Sequence, residues 1–262
     1  MSAKNFRFDQ GSWGGVCNTG KRQSPVNAVT FGNDVQYIKR FNLSLINYSK
    51  PELNATITNL GHTVQIALDS TPRFVILDSS LYDCHFVHWN QRYATFEEAA
   101  NKPDGLLVIA VIYRLAYRNN PKFDVVTNMV RAVQKPNTIH VSQQPLNLLD
   151  ILPNLITNPQ YNSNNYYGET VSEILNNIPY FRSVPVFTVY KGSLTTPPCS
   201  EVVTWIVFTQ TQNLESKQKI VFNGVLRENH GKEEPIGNNY RKIQPLNNRV
   251  FTIAKDYTFN VK

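Results

Sequence analysis

The sequence predicts a mainly β protein with peripheral helices, and three observations carry that reading. Short runs rich in Val, Ile, Tyr, Phe and Thr recur along the chain between clusters of Pro, Gly and Asn, the pattern of strands and turns. One run, Leu106-Leu107-Val108-Ile109-Ala110-Val111-Ile112-Tyr113, is apolar on both alternating faces, as a strand covered from both sides must be. Helical periodicity is confined to brief stretches. At 262 residues, 41% of them hydrophobic and 17% charged, the chain can bury one large core. A single domain covering 1–262 is expected.

Taken in order, the strands are expected at 55–59, 63–68, 74–77, 84–89, 106–113, 186–190 and 202–209. A Glu/Ala-rich helical turn is expected at 95–101. At 122–133 Phe123, Val126, Val130 and Val133 are spaced for one helix face. Asn-rich polar sequence at 154–185, with a brief helical candidate at 169–176, reads as an inserted loop.

Composition narrows the setting. No stretch approaches the roughly 18 uninterrupted apolar residues of a membrane span, and the first residues carry no apolar run of a signal peptide. Three cysteines without a C-x-x-C pair permit one bridge and one spare thiol, and spacing alone does not say which two pair. Asn42-Leu43-Ser44, Asn47-Tyr48-Ser49 and Asn54-Ala55-Thr56 are three glycosylation sequons in one short polar stretch, which points to secretion. The net charge of +7 favours acidic partners, but Lys and Arg are scattered and form no block, so no nucleic-acid surface is expected.

Five separated segments carry a resemblance. They are Gly20-Lys21-Arg22-Gln23-Ser24-Pro25-Val26-Asn27, then Asn59-Leu60-Gly61-His62, then His85-Phe86-Val87-His88-Trp89-Asn90, then Gly192-Ser193-Leu194-Thr195-Thr196-Pro197-Pro198, and last Asn239-Tyr240-Arg241 with Gln244-Pro245-Leu246 and Asn248-Arg249. In this order they resemble the α-class carbonic anhydrases of the secreted type, across almost the whole chain. The resemblance implies a central, twisted, mostly antiparallel sheet with a conical cleft. It also implies a disulfide between Cys17 and Cys199, leaving Cys84 as a buried thiol.

The family hydrates carbon dioxide with a zinc-bound water whose pKa falls to about 7, and this needs three imidazoles at one metal. Two come from a His-x-His pair on one strand and the third from its neighbour. This chain has no His-x-His; its histidines are His62, His85, His88, His140 and His230. By resemblance only His85 stands at a ligand position, with Asp83 as the carboxylate that orients it. Strand alternation turns His88 to the opposite face, as a hydrogen-bonded core histidine. Between His62 and His85 the chain is roughly thirty residues shorter than the family, enough for two or three strands. The missing segment would hold the paired histidines and the glutamate that orients the reactive-site threonine.

Other cleft positions are present by resemblance. His62 matches the proton shuttle, Thr195 and Thr196 the reactive threonines, Gln65 the cleft wall, and Val87, Val108, Leu194 and Trp205 the apolar pocket. A shuttle and a pocket do not replace a Lewis acid. The chain therefore reads as a zinc-free, catalytically inactive carbonic anhydrase-related protein without a cofactor, acting outside the cell on an unidentified protein or polyanionic glycan. The alternatives are a zinc-dependent hydratase with ligands re-sourced from His140 or the inserted loop, and a glycosaminoglycan-binding surface protein. The shortened segment also demands that the 84–89 strand pair directly with a strand from 63–77, through a turn at Asp78-Ser79-Ser80, or that the insertion fill the gap.

Overall fold

The computed structural model describes residues 13–27, 33–68, 73–78, 83–117, 120–153, 187–229, 232–237 and 239–262. The inserted segment 154–185 and His230 lie outside these. Thirteen strands are formed by the described residues: β1 Val35–Leu45, β2 Thr56–Asn59, β3 Val64–Ala67, β4 Arg73–Asp78, β5 Asp83–Trp89, β6 Leu106–Ala116, β7 Ile139–Val141, β8 Phe187–Gly192, β9 Val203–Phe208, β10 Gln212–Glu215, β11 Leu226–Asn229, β12 Lys232–Pro235 and β13 Phe251–Val261. Ten of them line up as β1-β13-β8-β9-β6-β5-β4-β3-β2-β7, with β10 added alongside the far end of β6. Strands β11 and β12 form a separate hairpin.

Most neighbours in the large sheet are antiparallel, as expected. The parallel pairs are β1 with β13, β6 with β9 and β6 with β10. All seven strands expected from the alternation are present. Two long strands were not expected, because β1 and β13 pair residues from opposite ends of the chain and carry charged residues within their runs. The short strands β10, β11 and β12 are largely polar and give no alternating signal, and β7, Ile139-His140-Val141, is too short for its alternation to stand out.

The expected helices are also present, at Phe96–Ala99 and Asp124–Ala132, the latter led in by a 3-10 turn at Pro121–Phe123. Thr95 caps the first by accepting from the Glu98 amide, which satisfies one of its orphan donors. A further helix, Ser216–Asn223, is held at its start by a reciprocal Glu215–Gln218 capping box.

Strand β5 does close the gap left by the shortened segment. It pairs antiparallel with β4 on one side and β6 on the other, with Ile76 opposite His85 and His85 opposite Ala110. No inserted strand stands between them. The core divides accordingly into two layers across the sheet. Ile109, Val111 and Tyr113 of β6 face the larger cluster with Cys84, Phe86 and the Asp124–Ala132 helix, while Leu106, Val108 and Ala110 face a second cluster with Val87, Tyr190 and Trp205. This is why β6 is apolar on both faces.

Candidate functional site

The second cluster covers one face of the sheet, and the strand registers fix which residues share that face. One row runs across the sheet as Thr58, Gln65, Ile76, His85, Ala110 and Val207. Side chains alternate between faces along each strand, so Val87, Val108 and Trp205 stand on the same side. Val87, Val108 and Trp205 are buried together there, with Leu194, Phe74 and Ile76 packed partly against them. The apolar residues named from the sequence are thus neighbours, with Gln65 one strand beyond Ile76.

His85 is anchored rather than loose. Its Nε2 lies 3.1 Å from Oδ2 of Asp83, and its ring meets that of Trp205 edge to face at 5.0 Å. At that distance the Asp83 carboxylate is placed to orient the imidazole. The other carboxylate oxygen of Asp83 is buried with no hydrogen-bond partner among the described residues.

The loop from Gly192 to Glu201 is stitched to the N-terminal segment. Ser24 and Ser193 exchange hydrogen bonds, with Ser24 N donating to Ser193 Oγ at 2.9 Å and Ser193 N to Ser24 Oγ at 3.0 Å. Trp205 Nε1 donates to the Ser193 carbonyl at 3.1 Å. Cys17 and Cys199 form the expected disulfide, and Cys84 is free and buried. Beside the bridge, buried Arg241 donates to Cys17 O, Ser24 O and Gln23 Oε1. These contacts place Thr195 and Thr196, both half-buried, at the loop's turn. Neither threonine hydroxyl meets a carboxylate among the described residues.

His62 sits in the bend before β3. Its Nδ1 lies 3.2 Å from the Leu60 carbonyl, and Asn239 Nδ2 donates to the His62 carbonyl. Burial lowers its pKa below the usual imidazole value, partly offset by the Leu60 carbonyl.

A zinc ion is the group this architecture would call for, and the residues present do not fit one. Directly across the strands from His85 stand Ile76 and Ala110, and neither carries a donor atom. His88 is on the opposite face, where its Nε2 is 2.6 Å from Tyr48 Oη and its Nδ1 is 3.3 Å from Leu107 O. His140 pairs with Ile57, in the row of Ile66, Val75 and Phe86 on that same opposite face. It is also four strand spacings from β5, about 19 Å. Among the described residues no three His, Cys, Asp or Glu side chains are grouped to hold an ion.

The sequence missed one polar cluster beneath this site. Buried Arg73, opposite His88 in the register, donates to Ile46 O at 2.9 Å and Asn47 O at 3.1 Å. It lies 3.5 Å from the buried carboxylate of Glu52 and covers the Tyr48 ring at 4.5 Å. No local motif links residues 48, 52, 73 and 88, so only the tertiary structure brings them together.

A large, mostly antiparallel sheet that carries on one face a histidine paired with Asp83, beside a Thr-Thr loop, defines a carbonic anhydrase-type domain. A family model described as eukaryotic-type carbonic anhydrase matches residues 9–83, 78–172 and 168–255. The chain belongs to that family. The first two matched stretches overlap at 78–83, within the interval between His62 and His85 that the sequence reads as shortened. Carbonic anhydrase 6 of Bos taurus is 30% identical over 283 residues, covering 95% of this chain and 76% of the relative. Carbonic anhydrase 6 of Mus musculus is 29% identical, covering 88% and 73%. The mitochondrial carbonic anhydrase 5B of Mus musculus is 30% identical, covering 75% of this chain and 54% of the relative. No helix among the described residues is long and apolar enough to cross a membrane.

Proposed function

We propose that this chain is a zinc-free, catalytically inactive member of its family that works outside the cell as a binding module. The observation that carries the reading is the pairing of His85 with Ile76 on one side and Ala110 on the other. Hydration at neutral pH requires an ion held by several donors with one position open, and one imidazole with waters binds zinc weakly and unselectively. Fold and chemistry part readily in this way, because activity resides in the site and not in the scaffold. The Cys17–Cys199 bond and the three sequons support an oxidising, extracellular setting.

The partner is a protein or a polyanionic glycan. The net charge of +7 supports the glycan through long-range attraction. Metal analysis of protein purified without chelator, together with a carbon dioxide hydration assay, tests the inactive reading. Substoichiometric zinc and background hydration are expected; stoichiometric zinc with hydration would establish a re-sourced hydratase instead. A heparin column run with a salt gradient tests the glycan. Elution at low salt would leave a protein partner.

A further inference from the structure

Strand β1 is the outermost strand of the large sheet among the described residues, with β13 on one side only. It is 11 residues long, whereas β7 at the other edge has three. A long open edge offers a row of unpaired backbone groups to any other strand, and proteins blunt such edges with charge, brevity or cover. The first half of β1 has charge, in exposed Lys39 and Arg40. The second half, Phe41-Asn42-Leu43-Ser44-Leu45, has none. Phe41, Leu43 and Leu45 pack on the main core, so Asn42 and Ser44 are the residues this half turns to solvent, both exposed. They are also the first and last residues of a sequon.

The neighbouring sequons follow the same logic. Exposed Asn47 follows Ile46, and exposed Asn54 follows Leu53; these two aliphatic side chains are 60% and 66% exposed. Two of the exposed aliphatic side chains, Ile46 and Leu53, are therefore each next to a glycan acceptor.

We propose that Asn42, Asn47 and Asn54 carry N-linked glycans, and that the Asn42 glycan is the device that keeps the uncharged half of the β1 edge from pairing with a second copy of the chain. In the modification, Asn42 Nδ2 forms a bond to the anomeric carbon of an oligosaccharide donated by a lipid-linked pyrophosphate. The donor's bond between that carbon and the phosphate oxygen breaks, the lipid pyrophosphate leaves, and the amide gives up one proton. No redox partner is needed. A glycan on the solvent face of an edge strand occupies the space an added strand's side chains would need, about 4.8 Å away.

The proposal shares with the functional reading only its extracellular placement. The chain is expressed through a eukaryotic secretory pathway, its glycosylated asparagines are mapped by mass spectrometry after enzymatic release, and its oligomeric state is measured by light scattering. All three sites should be modified and the protein monomeric. The folded glycoprotein trimmed by an endoglycosidase to a single sugar should then self-associate with rising concentration, as should Asn42→Gln and Ser44→Ala, whereas Asn54→Gln should not. Trimming needs no refolding, so misfolded variants do not blur the result. A bare Asn42 overturns the proposal, and so do trimmed protein and variants that stay monomeric. Bare Asn42 with an intact Cys17–Cys199 bond leaves the zinc-free reading standing; stoichiometric zinc with Asn42 glycosylated sinks that reading alone.

Discussion

Tyr48 donates its phenolic hydrogen to Nε2 of His88 across 2.6 Å, and the assignment follows from the other side of the ring. His88 Nδ1 faces the Leu107 carbonyl, which can only accept, so Nδ1 carries the hydrogen and Nε2 is the acceptor. The imidazole is therefore neutral, and burial depresses its pKa to about 4.

Stability should consequently depend on pH through His88. Its folded pKa is below the unfolded value of 6.5, so the unfolded chain binds the proton first as pH falls. The contribution is complete above about pH 6.5 and is lost on the way down to about 4, amounting to about 3 kcal/mol. Urea unfolding across that window should show the slope. Tyr48→Phe should lower stability by about 1–3 kcal/mol by leaving Nε2 buried and unpaired, while His88→Gln should flatten the slope. A slope that persists in His88→Gln would mean that another group titrates there.

Arg73 and Glu52 form a buried pair whose removal should cost more from one side than from both. Glu52→Gln leaves a buried guanidinium without its carboxylate, a loss of about 3–5 kcal/mol. Arg73 keeps its bonds to Ile46 O and Asn47 O, which places the substitution at the lower end. The double variant Glu52→Leu with Arg73→Met should be less destabilised than the sum of its single changes. Additive losses in a denaturation cycle would show that the two side chains are not coupled.

The disulfide closes a sequence separation of 182 residues. In the chain-entropy model that is worth up to about 5 kcal/mol, and Cys17→Ser should lower the thermal midpoint accordingly. Cys84 should resist alkylation in the native state. Burial, with the nearby Asp83 charge, raises its pKa far above the thiol range and hides the sulfur. Alkylation of Cys84 before unfolding would show that β5 is less well covered than its burial indicates.

The strands that carry this face were legible in the sequence because their signal is local. Alternation in 63–68, 84–89 and 106–113 is enough to place Asp83, His85 and Val87 on one face and His88 on the other. What stayed hidden depends on register between segments. Nothing in Val35–Leu45 announces that Phe251–Val261 will pair beside it, since the link spans most of the chain. The same holds for Tyr48 meeting His88 and for Arg73 reaching Glu52. The absence of His-x-His was plain from the residues, but the identity of what replaces it was not. That Ile76 stands opposite His85 is decided by the register of β4 against β5, which no single segment announces.

That register yields a last expectation. Residues directly opposite across antiparallel strands have Cβ atoms about 4.5–5.5 Å apart, from which two imidazoles can reach one ion. Asp83 lies beside Nε2 of His85, and Ile76 stands opposite His85 on the same sheet face. Ile76→His should therefore bind zinc at least roughly tenfold more tightly than the parent, about 1.4 kcal/mol or more, as read by competition with a chromophoric chelator. Ile76→Leu should not, and adding His85→Ala should abolish the gain. Hydration should stay at background, because two imidazoles fall short of the three protein ligands of a catalytic zinc. If Ile76→His binds no better than the parent, the residue across from His85 is not what denies this sheet its metal.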